Sequence, residues 1–253
     1  EKRRKTMKKR IFALISAMIF AVFCLSACEV TDAVKSLFDK NESSSVVSSA
    51  DADNGAFAPG ENTEKSYKNE FFGTIFEQQD LWSLDTVEEL KSLNGWRNDT
   101  SDEEYYSQLK NTRSFVDMRA VSSDGNSVNV TVENLSLLLG EIPGESEYTE
   151  YMQKSITSAL RKNGIEITSA ERQTIEFSSG EYPCITITGE QNGLEFFQTT
   201  VLIKKGAYAA NVTASSYFED TTGQSLALFL PTDDNEADSD NTAVTDITAD
   251  KPE

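Results

Sequence analysis

The sequence contains no histidine. That absence removes every Ser-His-Asp or Cys-His arrangement for nucleophilic catalysis, and the usual imidazole-bearing zinc sites with it. Positive charge is also scarce, with 23 Lys and Arg against 42 Asp and Glu. Residues 1–27 hold seven of those 23 bases and one of the 42 acids, so the remainder carries 16 against 41, a net charge of −25. A chain of that charge repels nucleic acid and anionic lipid headgroups, which excludes both as partners held by electrostatics. Cysteine is limited to Cys24, Cys28 and Cys184. Nor is there a membrane-spanning run. The apolar stretch Ile11–Phe23 falls short of the roughly 20 residues that a permanent transmembrane helix needs.

What is present at the start has a definite order. A basic segment (Lys8, Lys9, Arg10) precedes the short apolar run, and the small residues Ser26 and Ala27 lead into Cys28. This is the build of an export signal. Met7 begins a sufficient signal by itself, so Glu1–Thr6 read as lying upstream of its start. Leu25-Ser26-Ala27-Cys28 resembles the lipobox of bacterial lipoproteins. That resemblance implies a diacylglycerol on the Cys28 thiol, cleavage before Cys28, and attachment to the outer face of the cell membrane through acyl chains. Cys24 then leaves with the signal and Cys28 is acylated. Cys184 remains as the sole thiol, and no internal disulfide can form.

Residues 28–66 are expected to form a disordered tether. Val30, Val34, Leu37 and Phe38 share one helical face, but Ser43–Ser49, Asp51–Gly55 and Pro59-Gly60 are polar and poor in core residues. Asp51-Ala52-Asp53-Asn54-Gly55 hints at a calcium loop. However, Ala56 stands where that loop needs glycine, and Asn62 where it needs a bidentate glutamate. No metal or cofactor is expected.

The folded domain is expected over 67–230, followed by an acidic disordered tail from 231. Phe71–Phe76 reads as a first strand. Thr86-Val87-Glu88-Glu89 and Ser101-Asp102-Glu103-Glu104 are capping boxes opening two short helices. The period then becomes alternating. Val116, Met118 and Ala120, the turn Asp124-Gly125, and Val128, Val130 and Val132 predict a hairpin. Tyr148, Tyr151, Met152, Ile156, Ala159 and Leu160 form the stripe of a longer, core-facing helix closed by Asn163-Gly164. Strands are expected at Ile165–Ile167, Thr174–Phe177, Cys184–Thr188, Leu194–Ile203 and Tyr208–Ala214, with a last helix from Asp220 to Leu230.

Strand pairs separated by helices predict an α+β class: a largely antiparallel sheet covered by helices. Asn69-Glu70-Phe71-Phe72-Gly73, a tryptophan soon after, the Asp124-Gly125 hairpin, the central helix and Tyr217-Phe218-Glu219-Asp220 resemble PsbP-like domains. The resemblance implies an α/β/α sandwich acting in binding or assembly, without shared catalytic residues and so without a site to carry over.

Three functions are weighed. The first is a non-enzymatic, membrane-tethered extracytoplasmic binding or assembly module with a protein or cell-envelope partner. The second is a small serine acyl-transfer enzyme. Ser107-Gln108-Leu109-Lys110 fits S-x-x-K, Ser127-Val128-Asn129 fits S-x-N, and Lys204-Lys205-Gly206 fits K-x-G. In that reading Lys110 would activate Ser107, yet a helix with Tyr105 and Leu109 buried turns Ser107 towards solvent. The third is a solute-capturing lipoprotein of a transporter, which usually needs two lobes. Cys184, in an apolar strand, reads as a small hydrophobe, and Trp82 and Trp96 read as core or edge packing.

Overall fold

The computed structural model describes residues 57–140 and 142–232. The lipobox residues Leu25, Ser26, Ala27 and Cys28, the tether up to residue 56 and the tail after residue 232 lie outside the described residues.

In chain order the strands are β1 (Glu61–Asn62), β2 (Ser66–Asn69), β3 (Thr74–Glu77), β4 (Trp82–Leu84), β5 (Ser114–Ser122), β6 (Ser127–Asn134), β7 (Glu166–Phe177), β8 (Gly180–Gln191), β9 (Leu194–Lys205), β10 (Tyr208–Tyr217) and β11 (Phe229–Pro231). The helices are α1 (Val87–Leu93), α2 (Asp102–Leu109), α3 (Leu135–Leu139), α4 (Glu145–Lys162) and α5 (Thr222–Leu226). The strands form two antiparallel sheets, ordered β4-β5-β6-β10-β9-β8-β7 and β1-β2-β3-β11.

This is a β-rich, two-sheet fold. It is not the α+β sandwich with helices covering the sheet that the sequence and the PsbP-like resemblance led us to expect. Among the described residues only α4, at 18 residues, is a long helix. The physical reason lies in what each face of the large sheet finds to bury it. On one face Phe115, Met118, Val130, Val201 and Val212 pack against Tyr67, Phe72, Phe76 and Phe229 of the small sheet and its turns, with Tyr105 and Leu109 of α2 alongside. On the other face, Ile185, Ile187, Phe196 and Leu202 pack under Tyr148, Tyr151, Met152 and Leu160 of α4.

Three local corrections produce the difference. First, residues before 67 that were expected in the tether are packed, Phe57 among them. Phe57 is buried and stacks on Tyr208 with ring centroids 3.9 Å apart. Second, the first strand is not Phe71–Phe76. Phe71, Phe72 and Gly73 form the turn between β2 and β3, with Gly73 at φ 70. Third, the closing helix stops at Leu226, and Phe229–Pro231 pairs with β3 instead. Proline is tolerated at the end of an edge strand, where its missing N–H costs no ladder bond.

Asp117 ties the two sheets together. A bulge between Val116 and Met118 turns its side chain inward, so that Phe115, Asp117 and Met118 are all buried. Its carboxylate accepts hydrogen bonds from the Gly60 N–H (2.9 and 3.0 Å), the Tyr67 hydroxyl (2.8 Å) and Asn69 Nδ2 (2.9 Å). Asn62 Nδ2 donates to the Asp117 carbonyl at 2.9 Å. Gly60 is required by the close approach, since a Cβ there would overlap the Tyr67 ring and lie 2.9 Å from Asp117 Oδ2. Burial pushes the Asp117 pKa up, against the donors that pull it down.

We expect Asp117→Asn to lower unfolding stability by about 2–3 kcal/mol, because the new amide faces donors it cannot accept from. Urea denaturation measures that loss. Limited trypsin digestion should also show early cleavage at Lys65 or Lys68. A variant as stable and as resistant as the parent would mean that this carboxylate is not what holds the first strands.

Candidate functional site

The large sheet has a second, polar half on the α4 side, and it follows from strict alternation. Along β10, Ala210, Val212 and Ala214 face the small sheet, which sends Asn211, Thr213 and Ser215 to the other side. Register then aligns like with like. Thr213 lies between Asn129 and Thr200, and Ser215 between Ser127 and Gln198. All six side chains are buried. They satisfy one another: Thr200 and Thr213 hydroxyls meet at 3.1 Å, Gln198 Nε2 donates to Thr200 Oγ1 at 3.3 Å, and Ser215 Oγ donates to Gln198 Oε1 at 3.4 Å. Asn129 Nδ2 donates to Thr131 Oγ1 at 3.2 Å. The result is an uncharged ladder of hydroxyls and amides across three adjacent strands.

Two charged groups border the ladder. On the β5 side Arg119, opposite Asn129 in register, donates from Nε to Asp85 Oδ2 at 2.7 Å. Burial raises the Asp85 pKa, opposed by that guanidinium. At the other end is Glu133. The Tyr148 hydroxyl of α4 sits 2.9 Å from Glu133 Oε2 and 2.8 Å from Asn211 Oδ1. Burial pushes the Glu133 carboxyl up to about 7, with hydrogen bonds from Tyr148 and Asn211 pulling the other way. The same burial raises the Tyr148 and Tyr151 hydroxyls well above their ordinary range.

Proton counting explains the arrangement. Tyr148 has one proton for two acceptors. If Glu133 is protonated, its O–H donates to Tyr148, whose own proton then serves Asn211, and every group is paired. If Glu133 is ionised, Tyr148 and Asn211 both donate to it, and the Asn211 carbonyl beside Tyr148 loses that hydroxyl's proton. This cluster can therefore hold a proton near neutral pH.

The residues singled out from sequence lie elsewhere. Ser107 and Lys110 are both exposed, and Ser107 Oγ donates to the Glu104 carbonyl at 2.8 Å. Ser127 and Asn129 belong to the ladder, and Lys204-Lys205-Gly206 leads into the β9–β10 turn. The structure does not bring these three motifs to one place as a serine site. Cys184 is a buried free thiol, its pKa raised by that burial. Trp82 and Trp96 are half-buried against the core. No group of three or more acids or cysteines among the described residues is placed to hold a metal. No helix among them is long and apolar enough to cross a membrane.

Asp117, Glu133 and Asn211 were not singled out from sequence. Asp117 did leave a trace: Phe115 and Met118 stand three apart in an alternating strand, which is the mark of a bulge. Glu133 and Asn211 left none, because their meeting depends on the pairing of β6 with β10.

No family model matches the chain, and no curated protein matches it. Among solved structures it is similar to LpqN, involved in cell envelope biogenesis of Mycobacterium tuberculosis. The likeness has a TM-score of 0.33 and 10% identity, over 61% of this chain and 75% of that one. At that level nothing about site or activity is drawn from it.

The proton count sets a pH dependence. Glu133 keeps a proton in the folded chain up to about pH 7, whereas its ordinary value is 4.5. Its contribution to stability is therefore full at low pH, falls as pH rises through that window, and is level above it. The loss is on the order of 3 kcal/mol at most. Urea midpoints at several pH values, for the parent and for Glu133→Gln, should diverge in that window, with the variant losing less. Parallel curves would show that the carboxyl is ionised throughout.

Proposed function

We propose that this chain is a lipid-anchored extracytoplasmic protein whose folded unit is a non-enzymatic binding or assembly module of the cell envelope. The observation that carries the reading is the ordered signal at the start: Lys8-Lys9-Arg10, the apolar run, and Leu25-Ser26-Ala27 before Cys28. With net charge −25 beyond residue 27, attachment falls to acyl chains and not to headgroup contacts.

The geometry of the folded unit supports this assignment. Phe57 lies in edge contact with Phe71 and Phe72. The Thr232 N–H donates to the Gly73 carbonyl at 3.2 Å. Phe57 and Thr232 thus sit around one turn, at one end of the large sheet. A unit anchored through that end has its opposite end, with the β5–β6 and β8–β9 turns, farthest from the anchor.

In cells fed a labelled palmitate analogue, the chain should take up label and fractionate with membranes. Cys28→Ala should lose the label and appear unprocessed or released. Label retained in the Cys28→Ala variant, or none in the parent, would remove the anchor from this reading.

A further inference from the structure

We propose that two copies of this chain pair edge to edge through β7, antiparallel, about a two-fold axis at Thr174. Among the described residues β7 ends the large sheet and is hydrogen-bonded to β8 alone. At 12 residues it is a long edge, and an unpaired edge of that length is a template for another strand.

Two independent observations say which backbone groups face outward. Phe177 and Gly180 flank the two-residue turn Ser178-Ser179, with Ser178 at φ 55. Residues flanking such a turn exchange their N–H and C=O groups with each other. Odd-numbered residues of β7 therefore bond to β8, and Arg172, Thr174 and Glu176 point their backbone groups away. At the far end, Gln153 Nε2 of α4 donates to the Ala170 carbonyl at 2.7 Å, which places that even-numbered carbonyl on the outer side too.

The same contact marks where the edge is closed. Gln153 occupies Ala170, and a bulge lies between Ile167 and Ser169. Helix α4 starts over β6 and β10, where Tyr148 meets Glu133 and Asn211, and crosses to β7, where Gln153 holds Ala170 and Glu150 lies near enough to Arg172 to attract it. The stretch from Arg172 to Glu176 is left open, with four of its five side chains exposed and Ile175 half-buried.

Charge then selects both the occupant and the register. Outward backbone groups require even residues of one copy to oppose even residues of the other, which allows a two-fold centre on any residue of the stretch; centres at Gln173 and Ile175 leave Arg172 and Glu176 opposite uncharged residues. A centre at Arg172 opposes Arg172 to itself, and one at Glu176 opposes two carboxylates. A centre at Thr174 sets Arg172 of each copy against Glu176 of the other, twice, on the face of α4. It also places Gln173 of one copy over the half-buried Ile175 of the other. The edge complements a second copy of itself in this one register.

The test is disulfide trapping in membranes from cells making the full chain. Thr174→Cys, mildly oxidised, should give a covalent dimer, while Thr168→Cys, also exposed on β7, should not. In the Thr174→Cys background, Arg172→Glu or Glu176→Arg alone should lower the dimer yield roughly tenfold, and the two together should restore it. Restoration by the double reversal excludes misfolding as the cause of the single losses. A chain that stays monomeric at Thr174→Cys, a yield indifferent to the reversals, or trapping to a different protein would each overturn the pairing.

Discussion

The fold depends on one buried carboxylate. Asp117 sits on β5, second from one edge of the large sheet, and collects three donors from the first residues of the small one. Without it, Gly60, Tyr67 and Asn69 would each bury a polar group with no partner, at a cost of about 1–3 kcal/mol apiece. Apolar contact alone does not supply this register. Phe57, Phe72 and Phe76 could slide over the flat sheet face with modest loss, whereas three donors meeting two oxygens fit in one position. The carboxylate thus converts non-directional packing into a defined junction, and burial exacts a raised pKa in return.

Glu133, half-buried under α4, has a different character. Asp117 is surrounded by donors, and its ionised form is satisfied. Glu133 shares a single tyrosine proton with Asn211, and its neutral form satisfies the cluster more completely. This difference in donor supply, and not depth alone, separates a carboxylate that fastens two sheets from one that can exchange a proton near neutrality. It also places the titrating group at the foot of α4, where the helix meets the uncharged ladder. A change in charge there acts on Tyr148 before anything else.

Local signals in the sequence were read faithfully, and long-range ones were not. Thr86 with Glu89 forms the capping box expected of it, and Ser101 accepts from the Glu104 N–H. The α4 stripe is buried at Tyr148, Tyr151, Met152 and Leu160, and Asp124-Gly125 turns the hairpin. What failed was the covering layer. Phe57 is a lone aromatic in a polar stretch, and β1 is two residues long, so neither leaves a periodic trace. Phe229 and Leu230, at helix-compatible spacing from Leu226, read as a helix until β3 is there to pair with them. Of the candidate site, Ser127 and Asn129 were noticed for another reason, while Glu133 and Asn211 became neighbours only through strand pairing. The class changed because the elements missed were short strands, and together they make the second sheet.

Edge pairing over five residues is a small interface, and in dilute solution it would be weak. The anchor proposed at Cys28 changes that arithmetic. Copies confined to one membrane face meet at an effective concentration far above their bulk value, as linked modules do, so a contact of low intrinsic affinity becomes populated. Geometry permits it. Phe57 and Thr232 lie at one end of the sheet, and β7 runs along its side, so anchoring does not cover the edge. A two-fold axis at Thr174 also inverts one copy relative to the other along the strand direction. If that axis stood parallel to the membrane, the two anchored ends would point in opposite directions. The pair must therefore lie with its strands along the membrane surface, bringing both Cys28 segments to the same leaflet from opposite ends of one continuous sheet.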